Sequence, residues 1–308
     1  MASQRGQGTV EWIATVLVVA LAMLGLVAGG VRVPGADLAR SLAGRILCAA
    51  AMADGCGDEP TLIAAYGSEV GALVRRHMPM IGFETGSRAL PVDFRRCRRV
   101  VCADGWARGL VHRTDKGLPV TAFVHVVDCR EGRGERSEDT GADCSGERAG
   151  SLYIQYWLYY ANSATLRGVP VAGEEGYHPD DWESVQIRIG PDGEAAERAS
   201  SHNGYSYVRS TRNWGSDAAL GPLGAAVDAL GLRPANGWGP ETHLLLVSGG
   251  SHAGAALDTP EGVDRYIPGR RVHLIPLEPI AEQTRAWFAV SPPWRKQVWR
   301  DPEATGTS

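Results

Sequence analysis

The sequence predicts a mainly β protein: an antiparallel β-sandwich with a few peripheral helices and an N-terminal transmembrane-type helix. Three observations carry this. Alternating apolar stretches of strand length recur through the second half of the chain, without the crossover helices a parallel sheet requires. Glycine is abundant, at 39 residues, and Trp and Tyr supply nine each, a pairing of turn formers with strand formers. An uncharged run from Trp12 to Val31 is long enough to span a bilayer as a helix. The 308 residues divide into 1–31 (leader and hydrophobic anchor), 32–77 (helical connector) and 78–308 (β domain). A net charge of −4 lacks the basic footprint of a nucleic-acid binder and excludes that class of partner.

In chain order, Ala36 to Met52 is rich in Ala and Leu and ends at Asp54-Gly55-Cys56-Gly57. Glu59-Pro60-Thr61 opens a second helix, with Pro at a favoured early position, running to about His77 before Pro79. Residues 80–93 read as a short hairpin. Arg95, Arg96, Arg98 and Arg99 crowd a small Cys97 to Cys102 loop, a solvated face rather than a binding patch. Leu118 to Val127 alternates as a strand, with His125 facing away from its aliphatic side as a structural residue. Leu152 to Tyr160 is apolar at nearly every position and predicts a central strand buried on both faces.

Strands follow at 176–189, 194–201, 204–210, 243–248 and 271–277, while the tail from Pro292 carries little regular signal. Behind the hydrophobic segment stand six cysteines, Cys48, Cys56, Cys97, Cys102, Cys129 and Cys144. An even count in an exported chain implies disulfides. Of fifteen connectivities, the spacing favours the local pairs 48–56, 97–102 and 129–144.

The chemistry gathers at Gly176-Tyr177-His178-Pro179-Asp180-Asp181-Trp182-Glu183. Period two places Asp181 and Glu183 on the face marked as core by Val185, Ile187 and Ile189, with Trp182 opposite. Bare carboxylates are costly to bury, so a partner is expected. His178, Asp181 and Glu183 at a strand mouth suit a divalent cation; a hydrogen-bonded polar cluster is the alternative. Oxygen donors dominate, which favours Ca²⁺ or Mg²⁺ over Zn²⁺. His202 and His252 stand at strand ends, where they serve either turn hydrogen bonds or the same mouth. Gly249-Gly250-Ser251-His252-Ala253 loosely fits a nucleophile elbow, with Ser251 as the nucleophile.

Two resemblances follow from these residues. Gly6 and Glu11 match the spacing of a type IV pilin-like leader of the tight-adherence (Flp) kind. That resemblance implies cleavage between Gly6 and Gln7, with the helix retained as an anchor or filament stem, and a pilus or secretion machinery as partner. His178, Asp181, Trp182 and Glu183 resemble the signature of necrosis-inducing toxin-like proteins. Together with Tyr156-Trp157-Leu158 and Gly250-Ser251-His252-Ala253, they also resemble the vacuolar protein sorting 62-like group. The resemblance implies a β-sandwich with a cation at its mouth. Counting from Trp157, it assigns a further ligand position to Asn162, where the toxins carry Asp.

The expected function is thus a membrane- or pilus-anchored, extracytoplasmic surface protein with a divalent-cation site and a binding or adhesion role. The alternatives are a metal-dependent hydrolase using His178, Asp181, Glu183, His202 and His252, a serine hydrolase at Ser251, and a cytolysin-like toxin. Trp182, Ser251, His202 and His252 are the candidate pocket residues.

Overall fold

A computed structural model describes residues 59–84, 90–95, 120–130, 141–163, 178–201, 204–206, 237–256, 264–266, 272–280 and 288–305. The leader, the anchor segment, Cys48, Cys56, Cys97, Cys102 and His202 lie outside them. Among the described residues no helix is long and apolar enough to cross a membrane. The chain divides into two compact units, Met1–Arg76 and His77–Ser308.

Helix α1, Glu59–His77, has the predicted bounds, but Gly67 leaves the helical region at φ 78° and ψ 167°. The bend brings its two halves together: a Cβ on Gly71 would stand 3.3 Å from the backbone of Leu62.

The second unit is mainly β. Its strands are β1 (Met80–Phe83), β2 (Val120–Asp128), β3 (Leu152–Ser163), β4 (His178–Ile189), β5 (Ala195–Ser201), β6 (Gly204–Ser206), β7 (Gly239–Pro240), β8 (Leu244–Val247), β9 (Gly254–Ala255), β10 (Asp264–Tyr266) and β11 (Val272–Pro276). One sheet runs β10-β1-β8-β9, the other β11-β2-β3-β4-β5-β6, with β7 paired to β5. Two pairings correct the antiparallel expectation, since β1 with β8 and β11 with β2 are parallel. The hairpin expected at 80–93 is corrected too: β1 takes its partners from β8 and β10, far along the chain.

The sheets meet closely at β9. A Cβ on Gly254 would lie 2.9 Å from the Ala199 Cβ of β5. All twelve residues of β3 are buried, as the near-continuous apolar run predicts. Cys129 and Cys144 are joined, with Cα atoms 5.2 Å apart.

The tail supplies the element the sequence does not announce. Residues 293–305 cross the seven-stranded sheet as a strap containing α2 (Gln297–Arg300). Its carbonyls are taken one after another by the domain beneath. Gln155 Nε2 donates to Val298 O at 2.7 Å, and His125 Nε2 to Trp299 O at 3.1 Å. Arg198 Nη2 donates to Pro302 O at 2.6 Å and to Ala304 O at 2.9 Å.

Glu303 receives the Tyr153 hydroxyl at 2.7 Å, Trp238 Nε1 at 2.6 Å and Arg188 Nη1 at 3.0 Å. At Gly204, φ is +121° and a Cβ would fall 2.3 Å from Thr305 O, so only glycine lets the strap pass there. Phe94, Phe123, Trp157, Tyr159 and Trp182 form the aromatic core that Val298 and Trp299 complete.

Candidate functional site

Strand alternation builds the site. β3 and β4 pair so that Tyr160 faces Asp181, Leu158 faces Glu183 and Asn162 faces Pro179. Asn162, Tyr160, Asp181 and Glu183 therefore project from one face, and Tyr159, Trp182 and Ser184 from the other. The turn between β8 and β9 carries His252 to the first face. Its Nδ1 shares a hydrogen bond of 2.7 Å with Asp181 Oδ2. The imidazole stacks on Tyr160, with ring centroids 3.8 Å apart and planes 4° off parallel. His252 is 1% exposed and adopts φ +59°, an uncommon conformation for a residue with a Cβ.

His178 Nε2 stands 3.9 Å from the other oxygen of Asp181, Oδ1, and its side chain is 40% exposed. The imidazole bonded to Asp181 is thus His252, 71 residues away, while the near neighbour in sequence stands off at the rim.

Glu183 Oε2 accepts a hydrogen bond from Ser200 Oγ, which in turn accepts from the Ser184 amide at 2.7 Å. Burial pushes the Glu183 carboxyl well above its ordinary range, and the Asp181 charge adds to this. Ser200 and the Lys296 charge oppose the shift. Burial lowers Lys296, against the pull of Glu183 and Asp181.

Three buried side chains around Asp181 hold polar atoms without a hydrogen-bond partner in the protein: Tyr160 Oη, both amide atoms of Asn162, and His252 Nε2. Such atoms are costly unless something satisfies them.

The four ligands expected from sequence and resemblance do not converge as a set. His178, Asp181 and Asn162 share one end, with Asn162 one diagonal step from Asp181, about 7–8 Å between Cα atoms. Glu183 pairs with Leu158, four residues from Asn162, roughly 13 Å along the strand. Among the described residues no three His, Cys, Asp or Glu side chains form a metal-binding group.

Two pocket assignments are corrected. Trp182 faces away, packed in the aromatic core against Phe94 and Tyr159. Ser251 lies in a turn that returns into β9, where Ser248 N donates to Ala253 O, so the helix start that a nucleophile elbow requires is not there.

Asp180 is a site neighbour that sequence reasoning passed over. It sits at φ 56° on the opposite face, accepting the Tyr159 hydroxyl at 2.5 Å and the Ala289 amide at 2.8 Å. Two adjacent aspartates on a strand must point to opposite faces, which was the available signal. No family model, curated protein or solved structure matches the chain.

Proposed function

We propose that the chain is an exported surface protein of β-sandwich type, related to the vacuolar protein sorting 62-like and necrosis-inducing groups. It is carried on its N-terminal helix in the cell membrane or a pilus-like filament. Its β domain lies outside the cytoplasm and binds a divalent cation within a binding or adhesion role. The observation that carries the cation reading is Asn162, fully buried, with neither amide atom hydrogen-bonded, one diagonal step across the strand pair from Asp181.

The residues fit a hard cation. Asp181 Oδ1 and Asn162 Oδ1 are oxygen donors, and His178 Nε2 at 3.9 Å from Asp181 lies within the span of two ligands on one ion. Glu183, bonded to Ser200 and remote from Asn162, stands outside this set. The hydrolase reading uses Glu183 and His252, yet the His252 ring is buried and bonded to Asp181, and the Glu183 carboxylate is engaged by Ser200.

Two measurements test the proposal. Calorimetric titration of chelator-stripped protein should show one divalent ion bound, with a melting temperature that rises as the ion is added. A ligand at a hundred times its Kd stabilises by about 2.7 kcal/mol. Asp181→Ala should abolish binding and Asn162→Asp should tighten it. A melt unmoved by millimolar Ca²⁺, Mg²⁺, Mn²⁺ and Zn²⁺ would leave the cluster a structural network. For the anchor, N-terminal sequencing of native protein should begin at Gln7. A start near residue 30 would replace the retained helix with a cleaved signal peptide.

A further inference from the structure

We propose that the Cys129–Cys144 disulfide is a redox-controlled lock on the C-terminal strap. Oxidised, it holds residues 141–148 against Arg300 and Asp301. Reduced by a dithiol, it lets the strap come loose while the sheet beneath stays folded. Nothing in this depends on a bound cation.

The sheet is not the strap's sole hold. The Asp143 amide donates to Arg300 O at 2.9 Å. Arg148 Nε donates to Asp301 Oδ1 at 2.7 Å, with Nη2 2.6 Å from the same oxygen. Asp301 then shapes the strap from within. Its Oδ1 also accepts the Glu303 amide at 3.1 Å, and its own amide donates to Gln297 O at 2.9 Å. What grips Asp301 therefore also orients Glu303.

The two arms of this grip are secured differently. Arg148 stands close to the backbone bonds that join the ends of β2 and β3. Ser151 N donates to Arg148 O at 3.2 Å, Cys129 N to Ser151 O at 2.9 Å and Gly150 N to Cys129 O at 2.9 Å. Asp143 stands outside that frame. Residues 141–145 belong to no helix or strand, and the Asp143 carboxylate bonds Ser145 and pairs with Arg148 in its own segment. The covalent tie from this arm to the sheet is Cys144 to Cys129, directly after β2. The bridge also lies beside the Glu303 cradle. Cys129 is buried with Val127, Tyr153 and Trp238, and Ala142 and Cys144 pack against them. Tyr153 and Trp238 both donate to Glu303. Breaking the disulfide thus frees the Asp143 arm and loosens the packing behind the cradle.

The exchange balances without a further reagent. Cys144 is the half-buried partner and Cys129 the buried one. One thiolate of the dithiol attacks Cys144 Sγ; the S–S bond breaks and its electron pair leaves on Cys129 Sγ, which takes up a proton. The second sulfur of the dithiol then displaces Cys144 as a thiolate, which is protonated in turn. Two electrons and two protons pass to the protein, and the dithiol becomes a cyclic disulfide.

The test uses the full chain, oxidised and after treatment with dithiothreitol, and reads amide hydrogen exchange by mass spectrometry. The strap amides of Trp299, Asp301, Glu303 and Ala304 are hydrogen-bonded within the strap and report its closure. Reduction should speed their exchange by at least about tenfold and leave the β3 amides unchanged. Trypsin should then cut after Lys296 and Arg300, and reoxidation should restore protection. A double variant, Cys129→Ala with Cys144→Ala, keeps the other four cysteines and should match the reduced chain without any dithiol.

Strap exchange that stays slow once both thiols are shown to be alkylated would overturn the lock. So would equal acceleration in the strap and β3, which would make the bridge a general brace. Peptide mapping that finds Cys129 and Cys144 unpaired in the oxidised chain would overturn it as well. Should the double variant not fold, the reduced native chain decides by the same comparison of strap with β3.

Discussion

Arg198→Met should lower the unfolding free energy by about 4 kcal/mol, the range for breaking a buried charged network. Arg198 is fully buried, and burial pulls its guanidinium down to about 10, still charged at neutral pH. It lies 4.2 Å from the Tyr205 ring and 4.4 Å from the Trp238 ring. Its donors hold Gln186 Oε1 at 3.0 Å and the two strap carbonyls. Methionine retains the stem and fills similar volume, but it leaves those three acceptors unpaired and Glu303 with less positive charge nearby. Urea unfolding followed by tryptophan fluorescence checks this. A loss under about 1 kcal/mol would mean that the strap is held by its apolar residues and not by this network.

Acid should release the same strap through His125. The imidazole is buried against the Trp299 ring at 3.4 Å, and burial lowers it from 6.5 to about 3, only partly offset by its bond to Trp299 O. Between those values the unfolded chain binds a proton that the folded chain refuses. Stability contributed here is therefore intact above pH 6.5 and falls as pH drops toward 3, by about 5 kcal/mol over the whole window.

Glu197 acts with the opposite sign. Burial raises it to about 7, so its contribution is complete below its ordinary 4.5 and is lost as pH rises through 7. The two slopes cancel between 4.5 and 6.5. A comparison with His125→Asn isolates the imidazole. The stability gap between native and variant protein should shift in favour of the variant by about 3 kcal/mol from about pH 6.5 to pH 4. Parallel pH profiles would show that His125 is not held neutral by the fold.

Much of the β framework could be read from residue pattern. The aromatic run of β3 has apolar side chains on both parities, and such a run has no stable place except between two layers. Pro60 and Pro79 bracket α1 because one suits a first turn and the other cannot continue a helix.

The strap was not legible, because its main handles are backbone carbonyls, which every residue possesses. Its polar receptors misled in the same way. Ser184, Gln186 and Arg188 alternate with aliphatics, the pattern of a strand with one wet face, yet Ser184 and Gln186 are buried. At the site, the His178 and Asp181 spacing was visible, since both lie on one strand end. The bond between His252 and Asp181 was not, since only the closure of one sheet on the other brings them together.

The strap also fixes an order of events. Residues 293–305 follow every described strand, and they satisfy Arg198, Gln155 and His125 from above. Until those residues emerge from the ribosome, the seven-stranded sheet holds a buried-type arginine with no carbonyl to meet it. The domain cannot complete its structure while its later segments are still being synthesised. Folding of this sheet is therefore completed by the strap, the last segment of it to be made.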